Sequence, residues 1–89
     1  QRLVPSLVEA NAEVRFIDMA GDFRTNDAPG YEKYYGCEHE AVDWLPRFTY
    51  GFTEFQRDKV SAARLVANPG CFATGMLLAL APLAASGRL

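Results

Sequence analysis

Histidine and cysteine are scarce in this chain: His39 is the only imidazole, and Cys37 and Cys71 are the only thiols. With a single histidine and no C-x-x-C pair, the ligand spacing of a structural zinc site is missing, so no metal is expected. Two cysteines with no secretion signal predict free thiols in a reducing, cytoplasmic setting in preference to a disulfide. Long apolar runs are also lacking. The most apolar stretch, Met76 to Ala85, contains Pro82 and falls well short of the ~20 residues that cross a bilayer; it predicts a buried helix and no membrane span. Nor is there a basic excess. Nine Lys and Arg against eleven Asp and Glu leave a net charge of -2, without the electrostatic footprint of a nucleic-acid binder. No G-x-G-x-x-G occurs, so a dinucleotide's phosphate fingerprint would have to lie outside these residues. Gly70 and Gly75 have the spacing of a phosphate loop, but Met76 and Leu77 stand where Lys and Ser or Thr are needed, which excludes that reading. Gln1 to Pro5 lack an initiator methionine and a charged leader and read as a cut into a longer chain.

What is present is a globular mixture, 89 residues of which 49% are hydrophobic, enough for one small domain or part of a larger one. Leu3, Leu7 and Val8 recur at helical spacing, predicting a helix over 3–11 with Asn11 as its stop. Val14, Phe16 and Ile17 form a β-branched and aromatic run that predicts a strand ending in the small residues Ala20-Gly21. From Asp22 to Gly51 periodicity fades, punctuated by Pro29, Gly30, Gly36 and Pro46, with a short helix across Tyr31–Tyr35. So long an irregular insert is unusual unless it is functional. A short helix over 55–63, a second buried strand over 64–68 and an Ala/Leu-rich helix from Cys71 complete an alternation that needs crossovers. The expected fold class is therefore α/β with a mostly parallel sheet.

Chemistry concentrates at Asn68-Pro69-Gly70-Cys71. Pro69 drives Asn68 into an extended conformation and ends the strand, and Gly70 permits a sharp turn before the helix. Cys71 then sits at a helix N-terminus, where unpaired N–H groups and the positive dipole end favour an anion, the nucleophilic form of a thiol. The same N–H groups suit the oxyanion formed when that sulfur attacks a carbonyl. The plainer alternative is a small apolar residue tucked under a helix. Arg24 follows a strand end, where α/β proteins place ligands, and a guanidinium there can hold phosphate or carboxylate; its plain alternative is a local ion pair with Asp22 or Asp27. His39 is available as a base or ligand, although a lone loop histidine is more often a surface or hydrogen-bonding residue. Tyr31, Tyr34, Tyr35, Trp44, Phe48 and Tyr50 either line a pocket or pack the insert.

Four segments together resemble the N-acetyl-gamma-glutamyl-phosphate reductase family, related to aspartate-semialdehyde dehydrogenases. They are Ile17-Asp18-Met19-Ala20-Gly21-Asp22-Phe23-Arg24, Tyr31-Glu32-Lys33-Tyr34-Tyr35-Gly36 with His39 after it, Tyr50-Gly51-Phe52-Thr53-Glu54, and Ala67-Asn68-Pro69-Gly70-Cys71-Phe72-Ala73-Thr74. The resemblance spans nearly the whole chain and implies that it is an internal fragment of such an enzyme. Residues 1–70 would then be the later part of a Rossmann-like NADP-binding domain, and 71–89 the catalytic-cysteine helix opening a substrate and dimerisation domain. It further implies that Cys71 attacks an acyl phosphate, phosphate leaves, and NADPH reduces the thioester to a semialdehyde, in arginine biosynthesis. Arg24 matches a phosphate-binding arginine and Asn68 a pocket residue. Ala20, Gly21 and Thr74 are the implied cofactor contacts. The full protein is implied to be a homo-oligomer acting on a small molecule, and the fragment alone inactive. The family's acid/base histidine lies downstream, so the resemblance gives His39 no such role. Ala20 in place of a serine, Phe72-Ala73 in place of Tyr-Pro, and Phe52-Thr53 in place of Leu-Pro depart from the common pattern.

Three other readings stay open at this level. One is a sister reductase acting on aspartyl or carrier-bound aminoadipyl phosphate. Another is a cysteine hydrolase, in which the thiol pairs with a histidine and passes the acyl group to water. The third is a non-catalytic binding module in which Cys71 is only packed.

Overall fold

The computed structural model describes residues 1–89. Helix α1 (Leu3–Ala10) is followed by strand β1 (Phe16–Asp18), helix α2 (Ala28–Tyr35), a 3-10 helix (Val42–Arg47), strand β2 (Thr49–Tyr50), helix α3 (Thr53–Ala62), strand β3 (Leu65–Ala67) and helix α4 (Cys71–Ala85). The three strands form one parallel sheet in the order β1-β3-β2. The fold is therefore α/β and Rossmann-like. The insert between Asp22 and Gly51 is more ordered than its sequence suggests, because it carries α2, the 3-10 turn and β2. A two-residue strand is too short for periodicity to register.

β3 is central, and register aligns the three strand ends: Asp18 and Tyr50 both pair with Ala67. The residues that follow each strand consequently meet at one edge. These are the 19–24 loop, Gly51 and the Asn68–Cys71 junction. Gly51 donates its N–H to the Ala67 carbonyl (2.9 Å), and a Cβ there would lie 2.7 Å from Val66 Cγ1, so this close crossing requires glycine.

The core lies on the insert side of the sheet. Phe23, Leu45 and Ala67 are buried together, with Val4, Ala28, Ala41, Trp44 and Phe48 packed around them. Phe23 stacks on Phe48 with ring centroids 4.4 Å apart. Arg64 locks the end of α1 to the sheet: Nη2 donates to the carbonyls of Val8 and Asn11, and Nε to that of Val14. These include carbonyls that a helix C-terminus leaves open.

Two burial expectations fail. β1 is not a buried strand, for Ile17 is 68% exposed on an edge strand paired only with β3. The Met76–Ala85 stretch is helical but not buried. α4 holds no buried residue, and Phe72 is 91% and Met76 60% exposed, because the insert packs elsewhere and no other element among these 89 residues packs extensively against that helix. Its apolar face circles the helix, the pattern of one meant for cover on several sides. No helix is long and apolar enough to cross a membrane.

Candidate active site at the strand-to-helix junction

β3 ends at Ala67, and the next four residues carry the candidate chemistry. The Asn68 N–H donates to the Asp18 carbonyl (2.8 Å), extending the β1–β3 ladder by one rung. Gly70 precedes α4 with φ -70° and ψ 153°, an ordinary extended conformation, so the turn needs no special torsion there. The approach of a side chain is tight instead: a Cβ at Gly70 would sit 3.1 Å from Arg24 Nη1, which would have to give by a few tenths of an ångström. The guanidinium thus lies directly against the residue before Cys71.

Arg24 does not form the local ion pair that its neighbours suggested. Its Nε donates to the Asn68 carbonyl (2.6 Å) and its Nη2 to the Met19 carbonyl (3.0 Å), bridging the ends of β1 and β3. The Nη1 group is left toward Gly70. Asn68 turns its Nδ2 onto the Pro69 carbonyl (3.1 Å).

Cys71 is the first residue of α4, a free and exposed thiol. No side chain caps this helix end. The first backbone bond is donated by the Thr74 N–H to the Gly70 carbonyl (2.9 Å), so the N–H groups ahead of it remain open to an anion. The packed-thiol alternative is not what is seen. Cys71 lies outside every cavity, and the largest, about 580 Å³, is lined by Gln1, Arg2 and His39 through Trp44. Position at the carboxyl edge of the sheet, where α/β folds bind ligands, is the better guide. A smaller cavity of about 240 Å³ adjoins that edge, lined by Arg24, Asp27, Tyr31, Tyr34, Tyr35 and Tyr50 among others. Four of the insert's tyrosines therefore line a pocket, while Trp44 and Phe48 pack against the core and Trp44 also carries the Arg47 guanidinium over its ring.

Ala20 and Gly21 leave β1 at the same edge, and Thr74 lies half-buried on the first turn of α4. Asp18 Oδ1 accepts the Ala20 N–H (3.2 Å), whereas Asp18 Oδ2 is buried without a partner. Small residues and an unmatched acceptor fit the flank of a dinucleotide; the glycine loop that cradles its phosphates is not among the 89 residues.

His39 is buried in the insert, and both ring nitrogens are engaged: Nδ1 accepts the Ala41 N–H (2.9 Å) and Nε2 pairs with the Asp22 carbonyl (2.7 Å). It is a hydrogen-bonding histidine, the plainer of its two readings. Asp22 accepts from the Tyr31 hydroxyl (3.1 Å) and from Gln1 Nε2 (3.0 Å). Desolvation pushes its carboxyl up, but the bonds from Gln1 and Tyr31, with the charges of the N-terminal amine and His39, prevail and hold it below the ordinary carboxylate value. Spacing gave no sign of this network, because residues 1, 22, 31 and 39 meet only through the fold.

The chain is similar to known proteins. Over 84 residues it is 45% identical to an N-acetyl-gamma-glutamyl-phosphate reductase of Nitrosospira multiformis, covering 94% of this chain and 24% of that one. It is 46% identical over 85 residues to the reductase of that name from Methanopyrus kandleri, covering 96% and 24%. With its namesake in Acidithiobacillus ferrooxidans the identity is 49% over 76 residues, covering 85% and 22%. The chain spans about a quarter of the length of the curated relatives it matches. No family model matches it.

Proposed function

We propose, from the premise that this chain belongs to the N-acetyl-gamma-glutamyl-phosphate reductase family, that it is the nucleophile-bearing segment of an enzyme reducing an acyl phosphate to an aldehyde through Cys71. The observation that carries the reading is the exposed thiol at the start of α4, beside the Arg24 bridge at the carboxyl edge of a parallel sheet.

In this reading the Cys71 thiolate attacks the acyl carbon of N-acetyl-gamma-glutamyl phosphate. The carbonyl becomes an oxyanion facing the open N–H groups of α4, preorganised donors of the kind worth about 10²–10³ in rate each. Collapse breaks the acyl–phosphate bond, phosphate leaves with the bonding electrons, and a thioester remains on Cys71. The Arg24 Nη1 group and the Asn68 amide orient the substrate, the guanidinium by charge-assisted hydrogen bonding. NADPH, when bound, supplies the hydride that reduces the thioester; Ala20, Gly21 and Thr74 are the contacts this chain would offer it. Among these 89 residues the one imidazole is turned to Asp22 and Ala41 and does not pair with the thiol.

Residues 1–70 would belong to the nucleotide domain and 71–89 would open the catalytic one, which accounts for an apolar α4 left uncovered. The segment alone should have no activity, since neither a proton donor nor a phosphate cradle is within it. The test is the complete protein, assayed in reverse with semialdehyde, phosphate and NADP+. Cys71→Ser should lower turnover by at least about a thousandfold, as loss of a covalent nucleophile does. Full turnover in the serine variant would rule out the thioester route.

A further inference from the structure

We propose that His39 is a positioning residue for Cys71, acting through Arg24. The inference rests on the reading of Cys71 as nucleophile and adds to it a second residue, remote in sequence, that sets its geometry. Because Nδ1 accepts the Ala41 N–H, the ring proton is on Nε2, which donates to the Asp22 carbonyl at 2.7 Å. The ring meets Phe23 edge-on, centroids 5.3 Å apart, and Tyr31 likewise at 4.8 Å. Phe23 is itself buried with Leu45 and Ala67. Asp22 and Phe23, the two residues before Arg24, are thus held one by its carbonyl and the other by its ring, both against the same imidazole.

Arg24 hands this constraint on. Its backbone N–H closes a turn onto the Gly21 carbonyl, and its side chain spans the Met19 and Asn68 carbonyls. Asn68 is consequently fixed in the peptides on both sides of its Cα: the N–H by Asp18 and the carbonyl by Arg24. Gly70 then rests against Nη1, and the next residue is Cys71. Each link is a hydrogen bond, a buried ring or a close approach, and none involves proton transfer by His39. Displacement of a reacting group by about 1 Å is enough to cost 10²-fold in rate.

This role separates His39 from an acid/base histidine by what each substitution preserves. Glutamine can keep a donor where Nε2 stands, whereas phenylalanine keeps ring bulk but neither hydrogen bond. In the full-length protein, His39→Gln should stay within about threefold of wild-type kcat, and His39→Phe should fall about 10- to 100-fold with the midpoint of its pH profile unmoved. The companion readout needs no substrate: the rate of alkylation by iodoacetamide at pH 7, followed by mass spectrometry on the peptide that carries Cys71. That rate should drop at least threefold in His39→Phe and in Arg24→Lys, which keeps the charge but loses the two-carbonyl bridge, and hold in His39→Gln. Equal losses of turnover in the Gln and Phe variants with alkylation unchanged would overturn the proposal in favour of proton chemistry at His39. Wild-type rates throughout would overturn it as well. If His39→Phe does not fold, Arg24→Lys decides, and unchanged alkylation there refutes the chain of contacts. If the wild-type protein reduces no acyl phosphate but alkylation follows the expected pattern, the positioning role stands and the reductase reading falls.

Discussion

Burial pushes the Tyr31 phenol up to about 12, helped by its hydrogen bond to Asp22 and the nearby negative charge. The same bond helps to hold Asp22 below the ordinary carboxylate value, so the pair is stabilised as phenol and carboxylate. The two signs differ. Tyr31 stabilises the fold in full below the ordinary tyrosine value near 10, and that contribution is lost as pH rises from there through about 12. Asp22 contributes above the ordinary carboxylate range, and its share is lost as pH falls through its lowered folded value. Ultraviolet titration should show one phenol ionising near 12, absent in Tyr31→Phe. A Tyr31→Phe trace unchanged at high pH would contradict the assignment. His39, by contrast, was conspicuous in the sequence as the only imidazole, yet its partners came from contacts that no spacing encodes.

At the scale of elements, the parallel sheet is small, and its C-terminal edge depends on how closely β2 leaves β3. Gly51 marks that place. Its backbone passes so near Val66 and the Ala67 carbonyl that an added methyl must push the strands apart. Gly51→Ala should cost about 1–3 kcal/mol, the usual penalty of overpacking, measured by urea unfolding of the full-length protein. A value near zero would mean that β2 can shift freely. β3 and the start of α4 were legible from sequence because Val66, Pro69 and the Ala/Leu run each act locally. β2 was not, since its strand character comes from pairing to β3, whose partner residues lie 17 positions further along the chain, Thr49 with Val66 and Tyr50 with Ala67.

On the scale of the whole molecule, the uncovered α4 is the largest departure from a self-contained domain. Phe72, Met76, Leu78, Leu80 and Leu83 are all exposed, which groups apolar surface of the kind that marks an interface. The 89-residue segment produced alone should bind a hydrophobic dye and self-associate as its concentration rises. Phe72→Ser with Met76→Gln should reduce both, as followed by dye fluorescence and sedimentation velocity. A monomer that leaves the dye dark would show that these side chains find cover within the segment.

The sequence by itself determined the alternation of helix and strand, the stop at Pro69 and the placing of Cys71 at a helix start, because propensity, proline geometry and helix termini are local properties of the chain. Four matched segments carried the family as well. Only the tertiary structure decided that β2 joins the sheet, that Arg24 bridges two carbonyls without forming an ion pair, that Gly70 lies close against a guanidinium in an ordinary extended conformation, and that α4 stands bare. Those outcomes depend on which distant residues share a strand edge, and sequence separation carries no record of that distance in space.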